Sequence, residues 1–353
     1  MLLSIPFPSW LKPEIIPGLP MRWYGLMYVV AFGVAYLMYR RQVRERHFPL
    51  TEDQITGMFT WGILALLLGA RIFSTLVYET SDMYRRQPWL IFWPFQNGKF
   101  TGLMGMSYHG GVIGCALGVI IYSIVKHFDT REITDMFAAS IPLGYTFGRI
   151  GNFINGELYG RVTTGPLGMI FPHAAPLPLS EPWVREAAEK TGVVVTKGMT
   201  LVNLPRHPSQ LYEAILEGIV VWAIIYLVRN KKPFKGFLTA MYLFLYGFFR
   251  FFIEYFREPD ADLGYRIEFV KHNLSPAMSH PLFSFSTGQI LCFVMMLAAI
   301  IWVIIASRMP DRESIRVYPD SSGGEAAKEI SAEDKAARDA ERNRRRKLRK
   351  KLK

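Results

Sequence analysis

The sequence predicts an all-α, multi-pass membrane fold of about seven helices, and three observations predict it. Several apolar runs reach about 18 residues or more, the length that crosses a bilayer core as a helix. Half of the 353 residues are hydrophobic and only 20% are charged, although the net charge is +12. The stretches between the runs alternate between short, basic loops and longer, less basic ones, the pattern left by insertion with the basic loops inside.

Taken in order, the runs place spans at about 21–39, 55–78, 109–126, 135–156, 209–228, 236–257 and 288–307. The fourth is the least apolar, with Asp135, Arg149 and Asn152 in or near it. Arg40, Arg41, Arg44 and Arg46 follow the first span, Lys126 and Arg131 the third, and Arg229, Lys231, Lys232 and Lys235 the fifth. These loops are read as cytoplasmic, which puts the N-terminus outside and the C-terminus inside. Residues 1–20 hold five prolines and lack the basic start and apolar core of a secretory signal; they read as an external segment lying on the membrane surface. Residues 1–307 form one transmembrane domain, in which the outward loop 157–208 is long enough for a small subdomain. Residues 308–353 carry fifteen Lys/Arg against nine Asp/Glu and read as a basic cytoplasmic tail, disordered or helical. The two cysteines, Cys115 and Cys292, lie in apolar runs and read as small buried hydrophobes, not as a disulfide or metal set.

With that orientation the polar residues of the spans gather toward one leaflet. Tyr24 lies near the outer end of span one and Arg71 in the outer half of span two. His109 and the glycines of SYHGG stand at the mouth of span three, and Arg149, Asn152, Asn155 and Glu157 end span four in GRIGNFINGELYGR. RHPSQLYE opens span five, and Tyr246, Arg250, Glu254 and Arg257 end span six in YGFFRFFIEYFRE. A charge deep in a bilayer costs about 3 kcal/mol on insertion scales, so several in one leaflet imply a shared polar cavity. Each motif also has a plainer reading. Arg250, Glu254 and Arg257 share a helix face as i, i+4, i+7 and suit an interfacial ion-pair ladder as well as a binding site, and Arg257 alone suits snorkelling. Asn152 and Asn155 suit interhelical hydrogen bonding. Arg149, flanked by Gly148 and Gly151, stands where another backbone or a ligand approaches closely.

Arginines in an apolar cavity ask for an anion, and guanidinium groups bind phosphate with paired, directional donors. At that depth the natural anion is a phospholipid head group. His109 adds a group able to move protons near neutral pH. HExxH, clustered Cys/His, GxSxG and Walker patterns are all missing from the sequence, so metal, serine-hydrolase and nucleotide chemistry have no support, and nothing suggests nucleic acid. A lipid-modifying transferase and an anionic-lipid transporter or scramblase both fit.

Taken together, HGG at span three, GRIGNFINGELYGR, RHPSQLYE and YGFFRFFIEYFREPD, with WYGLMY and GARIF, resemble the prolipoprotein diacylglyceryl transferase family over about residues 18–307. The resemblance implies seven spans with the N-terminus outside, in the bacterial inner membrane with the site facing the outer leaflet. It implies transfer of a diacylglyceryl group from phosphatidylglycerol to a prolipoprotein lipobox cysteine, without metal or cofactor. By motif position it implies that Arg149 and Arg250 are the essential arginines and His109 the essential histidine, and that Tyr24, Asn152, Glu157, Gly160, Tyr246 and Glu254 belong to the site. Asn155 and Arg257 join the lipid-binding set from the residue reading. The loop 161–206 and the long basic tail depart from a compact member of the family.

Overall fold

The computed structural model describes residues 4–309, apart from 17, 19, 20, 47, 80, 81, 97, 101–104, 259–264, 269–274, 276 and 279. The basic tail, from residue 310 on, lies outside the described residues, as do His47 and His272.

The helices are α1 (Trp23–Glu45), α2 (Glu52–Phe73, continued by a π turn Ser74–Tyr78), the short α3 (Met83–Arg86), α4 (Tyr108–Val125), α5 (Thr130–Ala138), α6 (Ile141–Asn155), α7 (Pro182–Thr191), α8 (Ser209–Glu213), α9 (Val221–Val228), α10 (Phe237–Ile253) and α11 (Thr287–Ala306). A π segment, Ala214–Val220, joins α8 to α9 in one continuous helix. Among the described residues, four two-stranded ribbons decorate the bundle: β1 (Ile5–Pro6), β2 (Phe95–Gln96), β3 (Lys99–Phe100), β4 (Met169–Ile170), β5 (Leu177–Pro178), β6 (Leu201–Val202), β7 (Tyr265–Glu268) and β8 (Ser284–Ser286) pair as β1–β4, β2–β3, β5–β6 and β7–β8. Among the described residues, Glu52–Val77, Ser209–Val228 and Thr287–Ala306 are long and apolar enough to cross a membrane, and His109–Val125 and Phe237–Ile253 are shorter apolar helices. The chain is a membrane protein built from apolar helices.

The fourth run is not one helix. It breaks at Ala139–Ser140 between α5 and α6. Pro142 stands in the first turn of α6 and has no N–H to continue the ladder, while the Ser140 hydroxyl donates back to the Met136 carbonyl at 2.8 Å. The break turns Asp135 away from α6 and toward the start of α10. Its carboxylate, fully buried, accepts from the Gly236 and Thr239 amides at 2.9 Å each and from the Thr239 hydroxyl at 3.0 Å. It thereby caps α10 from another helix. Lys232 pairs with Asp135 at 2.9 Å and Glu132 at 2.7 Å, and Glu132 also takes Arg46 at 3.1 Å. The basic loop residues Arg46 and Lys232 are therefore ion-pair partners as well as orientation signals.

Close helix packing uses glycine. The SYHGG glycines face α2 rather than a ligand: a Cβ at Gly110 would collide with Phe73 and the Gly69 carbonyl, and one at Gly114 with the Ala65 carbonyl. With Gly118 they form a small-residue stripe at spacing four, which brings α2 and α4 together. Arg71, buried beside them, donates to the carbonyls of Ile91 (2.5 Å) and Gly105 (3.3 Å) and lies over the Tyr84 ring. It fastens the 79–107 connection to α2.

Within the loop 157–208, Val162, Leu179, Val184, Ala187, Ala188, Val202 and Leu204 pack as a buried hydrophobic cluster. The N-terminal segment is paired with this loop. Ile5 and Pro6 pair in parallel with Met169 and Ile170, and Phe7 packs against Phe153 and Phe171.

Candidate functional site

The site is built where α6, α8 with its π segment, and the end of α10 meet. On α6, Tyr145, Arg149 and Asn152 fall on one face at i, i+4 and i+7. Opposite them Glu213 and Glu217, one turn apart, are both fully buried. The helix widens into its π turn directly after Glu213, a local geometry frequent at functional sites. From α10, Arg250 and Glu254 complete the ring, with Arg257 just beyond the helix end.

Glu213 is the hub. Its Oε2 lies 2.7 Å from Arg149 Nε. Its Oε1 lies 3.4 Å from both Arg250 Nη1 and Arg257 Nη1. Arg250 is also 3.8 Å from Glu217 and 3.5 Å from Glu254. The Tyr145 phenol accepts from Arg149 Nε at 2.6 Å and donates to Glu217. Three arginines thus face three carboxylates with little water among them: the side chains of Arg149, Arg250 and Arg257 are 12, 16 and 18% exposed. Burial of this kind strengthens each Coulomb contact and raises the cost of losing one partner. Arg250 Nη1 is buried and, among the described residues, finds no acceptor in hydrogen-bond geometry. A Cβ at Gly148 would meet open space, so α6 is uncovered next to Arg149.

The expected residues fall into three groups. Arg149, Arg250, Arg257, Glu254, Tyr246 and Asn152 stand in or against the cluster. Tyr246 sets its ring edge-on to Tyr145 at 5.8 Å. Asn152 Oδ1 is 3.4 Å from Arg149 Nη1, and Glu254 also accepts from Ser286 Oγ at 3.1 Å. Glu157 and Asn155 form an outer layer: Glu157 Oε1 accepts from Asn152 at 3.0 Å and Asn155 at 3.3 Å. In these contacts Glu157 holds Asn152, which in turn touches Arg149. Ser209 and Gln210 explain the PSQ of span five, since they donate to the carbonyls of Leu158 (3.1 Å) and Glu157 (2.6 Å). They hold a turn in which Leu158 takes φ 55°, strained for a branched residue.

Tyr24, His109 and Gly160 stand apart. Tyr24 bonds Tyr28 hydroxyl to hydroxyl at 2.8 Å, and Tyr28 is within electrostatic reach of Arg149 and Glu157. His109 is exposed in the first turn of α4, capped by Ser107, on the helix that packs chiefly on α2. Gly160 lies where three backbone segments meet. Its amide donates to the His207 carbonyl at 2.8 Å, and a Cβ there would collide with the Phe256 carbonyl. His207 itself is half-buried against Phe256 and Tyr212, and burial pushes its imidazole pKa down.

The sequence reading gave no role to Glu213, Glu217 or Tyr145. Two acidic residues one turn apart inside an apolar span were the available signal, because such charges are rare without a partner. Tyr145, one turn before Arg149, was the other.

Known proteins match this sequence over most of its length. The phosphatidylglycerol–prolipoprotein diacylglyceryl transferase of Treponema denticola is 54% identical over 323 residues, covering 86% of this chain and 95% of the relative. Its counterpart in Treponema pallidum is 52% identical over 336 residues, covering 89% and 99%. That of Borrelia garinii is 42% identical over 321 residues, covering 88% and 95%. The model of the prolipoprotein diacylglyceryl transferase family matches residues 13–305, a span that includes every helix of the arginine cluster, and the chain belongs to that family.

Proposed function

We infer that this chain transfers the diacylglyceryl group of phosphatidylglycerol to the thiol of a prolipoprotein lipobox cysteine, the first step of bacterial lipoprotein maturation. The carrying observation is the convergence of Arg149, Arg250 and Arg257 on one buried carboxylate, Glu213. These guanidinium groups are already held in place, and they suit a phosphate and the charge that grows on it as glycerol phosphate leaves. The thiol, with an ordinary pKa of about 8.5, gives up its proton before attacking the glycerol carbon next to the phosphate ester. His109, directly or through a relay, is the proposed base. Tyr246 and Glu254 line the cluster, Glu157 and Asn155 set Asn152, and Tyr24 and Gly160 complete the lipid-binding region.

The test combines purified protein, labelled phosphatidylglycerol and a lipobox peptide. Lipidated peptide is the expected product; movement of lipid between leaflets without peptide modification would mark a scramblase instead. Within that assay, Arg149→Lys and Arg250→Lys should each be damaging, since an ammonium loses the two-pronged geometry. His109→Gln should abolish transfer while lipid binding persists.

Seven spans with the N-terminus outside remain our reading of the topology, in the inner membrane with the site toward the outer leaflet. Parity of the contacts supports it. Met169 and Ile170 reach back to Ile5 and Pro6 across four expected spans, and Gly160 bridges Arg257 across two. At the far end Glu132 joins Arg46 and Lys232, each across two. Even numbers return a chain to the same side. With Cys115 and Cys292 replaced, Arg44→Cys should resist an impermeant thiol reagent in intact cells and Lys190→Cys should react; the opposite pattern overturns the orientation.

A further inference from the structure

We propose that Tyr145 is a positioning residue that decides which edge of the Arg149 guanidinium meets a lipid phosphate, with Glu217 as its anchor. The proposal rests on the reading of the arginine cluster as a phosphate site. A guanidinium offers two kinds of edge to an oxyanion, Nε with one Nη, or both Nη groups together. In Arg149 the Nε side is occupied twice, by the Tyr145 hydroxyl at 2.6 Å and by Glu213 Oε2 at 2.7 Å. The Tyr145 ring also lies against the guanidinium, with its centroid 4.9 Å from the central carbon. The Nε side is thereby taken up by Tyr145 and Glu213, while Nη1 reaches toward Asn152 Oδ1 at 3.4 Å.

The phenol has one hydrogen. In accepting from Arg149 it must donate elsewhere, and Glu217 receives it. Nothing in the proposed chemistry otherwise requires a second buried carboxylate in this helix. Its other oxygen lies 3.8 Å from Arg250 Nη1, so the Glu217–Tyr145 bond ties the aim of Arg149 to the arginine on α10. The edge-on contact with Tyr246 fixes the ring from the remaining side. The other charged and titratable groups around the phenol are Glu213, whose Oε2 lies 3.5 Å from the hydroxyl, Arg250 and Tyr246.

The experiment uses the full chain in detergent, with Tyr145→Phe, Glu217→Gln and the double variant. Tyr122→Phe is the control for loss of a phenol, since Tyr122 donates to the Gln54 carbonyl near the start of α2. Phosphatidylglycerol binding, kcat and KM for peptide lipidation, and melting temperature are read on each. Tyr145→Phe should weaken lipid binding and raise the lipid KM by about 10- to 100-fold, the worth of a hydrogen bond to a charged group, because the ring remains and only the hydroxyl is lost. Glu217→Gln should do the same in part, and the double variant should be little worse than the worse single one, since both cut one connection. Tyr122→Phe should leave lipid KM unchanged. A Tyr145→Phe protein that binds lipid as the parent does overturns the proposal. So does a fall in kcat that tracks the folded fraction at constant KM, or strictly additive effects. If Tyr145→Phe does not fold, Glu217→Gln reads the same bond from its other end, and unchanged lipid binding there is equally fatal. A parent that binds the lipid but transfers nothing refutes the transferase reading, and weaker binding by Tyr145→Phe would still uphold the positioning role. A parent that does not bind phosphatidylglycerol overturns both.

Discussion

Arg149 and Glu213 pair at 2.7 Å across α6 and α8, and the Glu213 side chain is wholly shut off from solvent. Because the same carboxylate also faces Arg250 and Arg257, its removal strands positive charge in a dry place. Glu213→Gln should lower stability by about 3–5 kcal/mol, the usual cost of breaking a buried pair from one side, and should abolish lipidation. Melting in detergent alongside the peptide assay checks it. Retained melting temperature with retained activity would show that the arginines hold themselves.

Asp135, at the opposite end of α10, gives the contrasting case. Asp135→Asn loses the charge that faces Lys232 and weakens the cap on Gly236 and Thr239. Loss of a cap alone costs about 1 kcal/mol. Folded yield and melting temperature should fall while lipid KM per folded molecule stays constant, because the change lies a full helix length from Arg250.

Gly160→Ala tests whether Gly160 serves packing. The new methyl meets the Phe256 carbonyl and the His207 side chain, and overpacking of this sort costs about 1–3 kcal/mol. The loss should appear first in melting temperature and protease resistance of the 157–208 loop. Unchanged stability with weakened phosphatidylglycerol binding would instead place Gly160 against the lipid.

His207 gives a pH dependence. Burial lowers its pKa in the folded chain, whereas the unfolded chain keeps a value of about 6.5. Below that value the unfolded state binds a proton that the folded state resists, so stability is complete above about pH 6.5 and declines as pH falls through it. Melting profiles between pH 5 and 8 should show a smaller acid-side decline in His207→Gln than in the parent. Parallel profiles would remove His207 from the account.

Helix positions were legible because apolar length is a local property. The fourth run misled for a local reason too: its stretch from Met136 to Phe147 reads as one helix, but Pro142 removes one donor and Ser140 bonds backward, so a bend replaces a straight span. Arg149 and Arg250 were legible because unpaired arginine in a membrane demands an explanation. Glu213 and Glu217 were harder to assign. Their value depends on partners some sixty residues earlier on α6 and some forty later on α10, and helix periodicity within span five says only that the two share a face. The SYHGG glycines were placed only at the mouth of span three, because nothing in their own segment reveals that α2 is the surface they meet.

The parallel pairing of Ile5–Pro6 with Met169–Ile170 sets an order of assembly. Ile5 and Pro6 cannot take their final place until a partner more than 160 residues downstream has been synthesised. Contacts of such long sequence separation form late, so the N-terminal strand closes the structure after the helices between have inserted. A bulky fusion ahead of Ile5 would therefore burden this late pairing and leave Met169 and Ile170 without their partner strand.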